Sequence, residues 1–75
     1  MKTENLAFSR MIAEKIRRLR RNKDYSQQFM ADRLGISQNA YSKLESGKTP
    51  IHVDRLREVS ALLDTNAYEI LRDVF

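Results

Sequence analysis

Residues 26–48 read SQQFMADRLGISQNAYSKLESGK, and they carry the clearest helix start and stop signals in the chain. Ser26 and Ser37 each precede a short segment with apolar residues at helical spacing, and serine is a favourable N-cap. Gly35 follows the first segment, where a helix end favours a left-handed residue. The stretch therefore predicts two short helices, residues 26–34 and 37–45, joined by a tight turn that suits a perpendicular pair.

The flanking sequence predicts three more helices. A first helix is expected over residues 6–22, because Ile12, Ile16 and Leu19 recur on one helical face. A fourth follows the only proline, over residues 52–63, and a short fifth begins at Asn66, three residues before Glu69 in a capping-box pattern. β-branched residues are sparse and never alternate, which argues against strands. The expected fold is all-α, with five helices in one compact domain over residues 1–75.

Composition restricts the possible functions. The chain has no cysteine, which excludes disulfides, thiolate metal sites and thiol catalysis. No apolar run approaches the ~18 residues of a membrane span, and the N-terminal residues lack the apolar segment of a signal peptide, so a cytoplasmic location is expected. The net charge is +4, and residues 1–50 carry +6 while residues 51–75 carry −2. This asymmetry suits a polyanionic partner on one side, although composition alone leaves an ordinary solvated helix face equally open.

The outward face of the predicted helix 37–45 is polar and lacks acidic residues. Gln38, Asn39, Ser42 and Lys43 lie opposite the apolar residues and precede the first carboxylate, Glu45. Glutamine and asparagine can pair bidentately with adenine, and lysine can donate to guanine O6 and N7. The face is therefore typical of base recognition, and the alternative is a polar surface without a ligand.

Four segments together resemble one known family. They are IRRLR at residues 16–20, SQQFMA at 26–31, LGIS at 34–37 and LESGK at 44–48. In order and spacing they are similar to the bacterial xenobiotic-response-element/Cro-repressor helix-turn-helix family, over about residues 12–72. The resemblance implies a lambda-repressor-like domain with its motif at residues 26–45. It also implies a sequence-specific DNA-binding transcriptional regulator, either a dimeric repressor or a restriction–modification controller protein.

The resemblance assigns roles to particular residues. Helix 37–45 is expected to enter the major groove, with base contacts from Ser37, Gln38, Asn39, Ser42 and Lys43. Contacts to the phosphate backbone are implied for Gln27, at the start of the preceding helix, and for Ser46, Gly47 and Lys48. The alternatives are that Gln27 is a simple first-turn residue and that Lys48 is an ordinary surface lysine.

Other positions match the family in a structural role or depart from it. Arg20 and Glu45 are expected to form an ion pair that holds helix 37–45 in place without touching DNA. Phe29 replaces a usually polar residue and is expected to be partly exposed. Tyr41 replaces an aliphatic core residue, and is expected to be packed in the core with its hydroxyl at the edge, with a phosphate contact as the alternative. Asp64 replaces a glycine and should tolerate a left-handed conformation.

The C-terminal residues predict a dimer interface. Family members often dimerise through their last helices, which suits a two-fold operator with inverted half-sites. The expected interface includes the helix at residues 66–75 and consists of Leu62, Tyr68, Leu71, Val74 and Phe75. The alternative is that these residues merely close the core. The expected partners are double-stranded DNA and a second copy of the chain, with no membrane and no small-molecule ligand.

Two other functional classes are alternatives to DNA binding. A protein-interaction or antitoxin-type module would use Phe29 or the C-terminal patch to hold another protein. An enzyme has little support, because Glu14, Asp24, Asp32 and His52 show no paired spacing and no nucleophile–base arrangement. His52 has no second histidine or any cysteine to share a metal, so no metal and no cofactor are expected.

Overall fold

The computed structural model describes the backbone of residues 2–74 and the side chains of residues 7–74. Within that part of the chain there are five α-helices and no strand, which confirms the all-α prediction. The helices are α1 (Lys2–Asn22), α2 (Gln27–Leu34), α3 (Gln38–Glu45), α4 (Val53–Leu62) and α5 (Ala67–Leu71). α1 begins four residues before the predicted start at residue 6. The prediction followed apolar spacing, whereas the preceding residues contain no proline or glycine that would stop the helix.

Side-chain and backbone caps define the ends of the two central helices. The Ser26 hydroxyl accepts a hydrogen bond from the Phe29 backbone amide at 2.9 Å, and the Ser37 hydroxyl accepts one from the Ala40 backbone amide at 3.0 Å. At the end of α2, Gly35 adopts φ 71°, and the Ile36 amide then donates to the Ala31 carbonyl at 3.0 Å. This is the hydrogen bonding of a Schellman turn, and it fixes the direction in which α3 leaves α2.

The core draws on all five helices. Its buried apolar residues are Ile16, Met30, Ala31, Tyr41, Leu56, Val59, Leu63 and Ile70. α3 packs against α1 and α2, α4 packs against α2, and α5 packs against α1 and α4. Gln38, Asn39 and Lys43 of α3 are exposed, so one face of this helix lies at the surface.

Asp64 closes α4 in the conformation expected of it, with φ 57° in the left-handed region. Its carboxylate also binds the Lys23 ammonium at 2.6 Å, which links the ends of α1 and α4. None of the helices in the described part of the chain is both long enough and apolar enough to cross a lipid bilayer.

Candidate nucleic-acid interface

α3 presents one polar face to solvent. Gln38, Asn39 and Lys43 are exposed, and Ser42 is half-buried. The opposite face is anchored by Tyr41, which is 1% exposed. The periodicity of α3 therefore separates a packed face from a polar outer face, as the sequence predicted.

The outer face of α3 has two rows of side chains. Asn39 and Lys43 are four residues apart and, with Ser37, line a shallow open groove whose other walls are Ile36, Ala40, Leu44, Thr49 and Arg55. Gln38 and Ser42 have the same spacing and form the second row outside this groove, because residues at i and i+4 lie above one another on a helix. The four predicted base-reading side chains thus lie on one helix face, while Ser37 lies at its start.

Glu45, the only carboxylate of α3, points away from this face. It is 1% exposed and accepts four hydrogen bonds from three side chains. The Arg20 guanidinium donates through Nε to Oε2 at 2.7 Å and through Nη2 to Oε1 at 2.9 Å. The Tyr41 hydroxyl donates to Oε2 at 2.5 Å, and the Gln27 amide donates to Oε1 at 3.0 Å.

Glu45, Arg20, Tyr41 and Gln27 form one hydrogen-bonded cluster, and these bonds determine its charge state. Burial alone would raise the pKa of Glu45, but the hydrogen bonds from Arg20, Tyr41 and Gln27 outweigh burial and hold that pKa below its ordinary value. Burial and the bond to Glu45 raise the pKa of the Tyr41 hydroxyl, and the bond to Glu45 raises the pKa of Arg20. Glu45 is therefore ionised at neutral pH, and its charge is balanced inside the protein by Arg20.

The cluster joins the first three helices. The pair predicted between Arg20 of α1 and Glu45 of α3 is present, and Arg20 Nη1 also donates to the Tyr25 carbonyl at 2.7 Å, at the turn before α2. The expectation that the Tyr41 hydroxyl lies at the core edge was wrong. That hydroxyl is buried, because Tyr41 and Glu45 are one helical turn apart and the Glu45 carboxylate accepts a hydrogen bond from the hydroxyl.

The residues expected to contact phosphate lie at both ends of this cluster. Gln27 is half-buried at the first position of α2, with its amide bound to Glu45. Ser46 is half-buried and donates its hydroxyl to the Lys43 carbonyl at 3.1 Å, while Lys48 is exposed. Gly47 is buried between them in the left-handed conformation, with φ 77°. The start of α2 and the turn at residues 46–48 therefore flank the C-terminal end of α3.

Two arginines of α1 were not singled out in the sequence. Arg17 Nη2 donates to the Glu45 carbonyl at 3.0 Å, at the C-terminal end of α3. Arg10 packs directly against Gly47. Their separation of seven residues, which places both on one face of α1, was the available signal.

The structure distributes the predicted dimer residues between core and surface. Leu62 and Leu71 are half-buried and pack against the core, Tyr68 is 70% exposed, and Val74 is half-buried. Phe75 lies outside the described residues. Phe29 is half-buried, with its ring centroid 4.4 Å from that of Tyr25.

Comparison with known proteins identifies the class to which this fold and this exposed helix belong. A profile of the family described as Helix-turn-helix matches residues 16–70, and the chain belongs to that family. The chain is 37% identical over 62 residues to the SPbeta prophage-derived uncharacterized HTH-type transcriptional regulator YonR of Bacillus subtilis (strain 168), covering 83% of this chain and 57% of that protein.

Two further relatives come from the same organism. The uncharacterized HTH-type transcriptional regulator YqaE is 34% identical over 62 residues, covering 83% of this chain and 53% of its own length. The HTH-type transcriptional regulator AnsR is 34% identical over 61 residues, covering 81% of this chain and 53% of its own length. The chain thus spans little more than half the length of the curated relatives it matches.

Proposed function

We propose that this protein is a sequence-specific DNA-binding transcriptional regulator that reads the major groove with α3. The observation that carries the proposal is the charge of the exposed face of α3, which holds amides, a hydroxyl and an ammonium but no exposed carboxylate. The one acidic side chain of the helix, Glu45, is buried and paired with Arg20. A helix in this position can approach the polyanionic duplex without electrostatic repulsion from its own residues.

Gln38, Asn39 and Lys43 are the proposed direct readers of base edges. All three are exposed, and the two amides can each form a bidentate pair with adenine, while the ammonium can donate to guanine. Ser37 and Ser42 can add single hydrogen bonds from the start of the helix and from its partly covered side. These side chains lie on the first two turns of α3, which is the part of such a helix that enters the groove.

Gln27, Ser46 and Lys48 are the proposed contacts to the sugar-phosphate backbone. Gln27 lies at the N-terminus of α2, where backbone amides without intrahelical partners favour a phosphate. Lys48 is exposed beside the buried Gly47 and carries a full positive charge. Contacts of this kind fix the orientation of α3 in the groove without reading sequence.

A matched set of variants tests the separation of these roles on a duplex enriched from a random pool. Gln38→Ala should weaken binding to that duplex by about 1–3 kcal/mol and leave binding to random duplex nearly unchanged. Lys48→Ala should weaken both and lower the slope of log affinity against log salt by about 0.9. The control is Gln28→Ala, because Gln28 is an exposed glutamine of α2 whose amide binds Asp32 at 2.8 Å.

Equal losses for Gln38→Ala on enriched and random duplexes would contradict the assignment of α3 as the reading helix. A loss for Gln28→Ala as large as that for Gln38→Ala would contradict it as well, because both changes remove one exposed amide.

We further propose that the protein binds an inverted repeat as a homodimer and represses by occluding its operator. Among the described residues of the predicted interface, Tyr68 is the one that the core leaves most exposed, at 70%, so its aromatic ring on α5 is available to a second copy. Sedimentation equilibrium tests it. Tyr68→Ser should shift the protein toward monomer, whereas Val53→Ser, a control that removes an apolar side chain also 70% exposed, should not. A wild-type protein that is monomeric at concentrations that saturate DNA would contradict the dimer.

A further inference from the structure

Arg10, in the N-terminal half of α1, lies against the turn that follows α3. Gly47 is buried there, and a Cβ atom placed on it would lie 2.8 Å from Arg10 Cγ and 2.9 Å from Arg10 Cα. Because Gly47 has no side chain, the turn at residues 46–48 can contact the backbone of α1 directly at Arg10.

This contact places two guanidinium groups beside the turn. Arg10 is exposed although its Cα and Cγ touch the turn, so its charged end extends toward solvent. Arg17 reaches the Glu45 carbonyl, immediately before Ser46, with one of its five N–H donors. The two arginines are seven residues apart on one helix face, a separation of about 10 Å along the axis.

Within residues 7–74 most of the positive charge of this face is not held in ion pairs, and the one carboxylate between Arg10 and Arg17 along the helix is that of Glu14. Lys15 pairs with Asp73 and Arg20 pairs with Glu45, so these two cations of α1 are neutralised locally. Among the side chains of residues 7–74, in contrast, Arg10 and Arg17 form no ion pair. Arg18 and Arg21 are also without an ion pair within those residues, and with Arg17 they line a shallow depression next to Glu14.

We propose that Arg10 and Arg17 of α1 extend the DNA-backbone contact beyond the turn at residues 46–48. This inference rests on the proposed function, because it continues the same surface onto a second element. The partner is the phosphate backbone flanking the bases read by α3, since the guanidinium groups of Arg10 and Arg17, which form no ion pair within residues 7–74, lie beside the turn that carries Lys48 and are complementary to a polyanion. The spacing of about 10 Å corresponds to roughly three nucleotide steps along the duplex axis. Arg10 also lies before the residues 16–70 that match the family profile, so that match does not extend to it.

Arg10→Gln tests the inference, because glutamine keeps the Cβ and Cγ atoms that pack against Gly47 and removes only the charge. Raising the salt concentration from 50 to 200 mM should weaken DNA binding by both proteins. The loss of affinity should be about 3.5-fold larger for the wild type than for Arg10→Gln, because the wild type makes one more phosphate contact. The loss of affinity caused by Arg10→Gln should be equal on enriched and random duplexes, because phosphate contacts carry no sequence information. The control is Arg57→Gln on α4, an exposed arginine without an ion pair within residues 7–74, which should keep the wild-type slope. Thermal unfolding of both variants establishes that they are folded.

Single methylphosphonate substitutions along the duplex locate the contact. Neutralising the phosphate bound by Arg10 should weaken the wild type but not Arg10→Gln. A wild type that binds its enriched duplex while Arg10→Gln keeps the same slope and the same methylphosphonate profile would overturn this inference and leave the proposed function standing. A wild type that binds no duplex would overturn both.

Discussion

Replacing Arg20 by methionine should test the buried cluster most severely. The change keeps an unbranched apolar stem but removes both bonds that Arg20 donates to Glu45, at 2.7 and 2.9 Å. Glu45 is 1% exposed, so its carboxylate would remain buried with only the Tyr41 and Gln27 donors. Breaking a buried pair by removing one partner costs about 3–5 kcal/mol. A domain of this size has a total stability of roughly 4–11 kcal/mol, so the loss is a large part of it.

A companion variant separates charge from packing. In Arg20→Met combined with Glu45→Gln, the amide oxygen introduced at position 45 can still accept a hydrogen bond from the Tyr41 hydroxyl. No carboxylate then remains buried without a counter-charge. The double variant should therefore be more stable than Arg20→Met alone, although it departs further from the native sequence.

Urea unfolding followed by far-UV circular dichroism at pH 7 measures both effects, as shifts of the midpoint at constant slope. Thermal unfolding should show a loss of at least about 12 °C for Arg20→Met. A single variant within about 0.5 kcal/mol of wild type would refute the reasoning, as would a double variant less stable than the single one.

Three further changes probe the same architecture. Gly35→Ala should cost about 1–2 kcal/mol from the left-handed backbone alone, whereas Gly47→Ala should cost more in the same urea assay, because its Cβ would also meet the Arg10 backbone at 2.9 Å. Equal losses of stability for Gly35→Ala and Gly47→Ala would argue against the close packing of the turn at residues 46–48 on α1. Tyr41→Phe should lose about 1.5–3 kcal/mol, since it removes one hydrogen bond to a charged group, and an unchanged urea midpoint would contradict that bond. Because the pKa of Glu45 is lowered on folding, its stabilisation is fully present above the ordinary value of 4.5 and is lost as the pH falls through the lower folded value. Acid titration of stability should show this decline, and in Tyr41→Phe the decline should be smaller and end at a higher pH, because the folded pKa of Glu45 is then less depressed while the ordinary value is unchanged.

Local signals were sufficient to predict most of the secondary structure. Ser26, Ser37 and Gly35 act within one helical turn of themselves, and the predicted bounds of α2 and α3 agree with the structure to within one residue. The predicted start of α1 is too late, because the first residues of the helix lack apolar residues at helical spacing.

The cluster around Glu45 was only partly predictable. The pairing of Arg20 with Glu45 followed from family resemblance, but the bonds from Gln27 and Tyr41 depend on how three helices meet. The contact between Arg10 and Gly47 joins residues 37 positions apart, and no local pattern marks it. Tyr68 illustrates the same limit, since apolar spacing alone does not distinguish an exposed aromatic residue from half-buried neighbours such as Leu71.

Selection of bound duplexes from a random pool at near-physiological salt tests the central claim most directly. We expect enrichment of a two-fold-symmetric motif with half-sites about one helical turn apart, and loss of that enrichment for Gln38→Ala combined with Asn39→Ala. Salt-sensitive binding with no enriched sequence would contradict the claim that α3 reads the major groove.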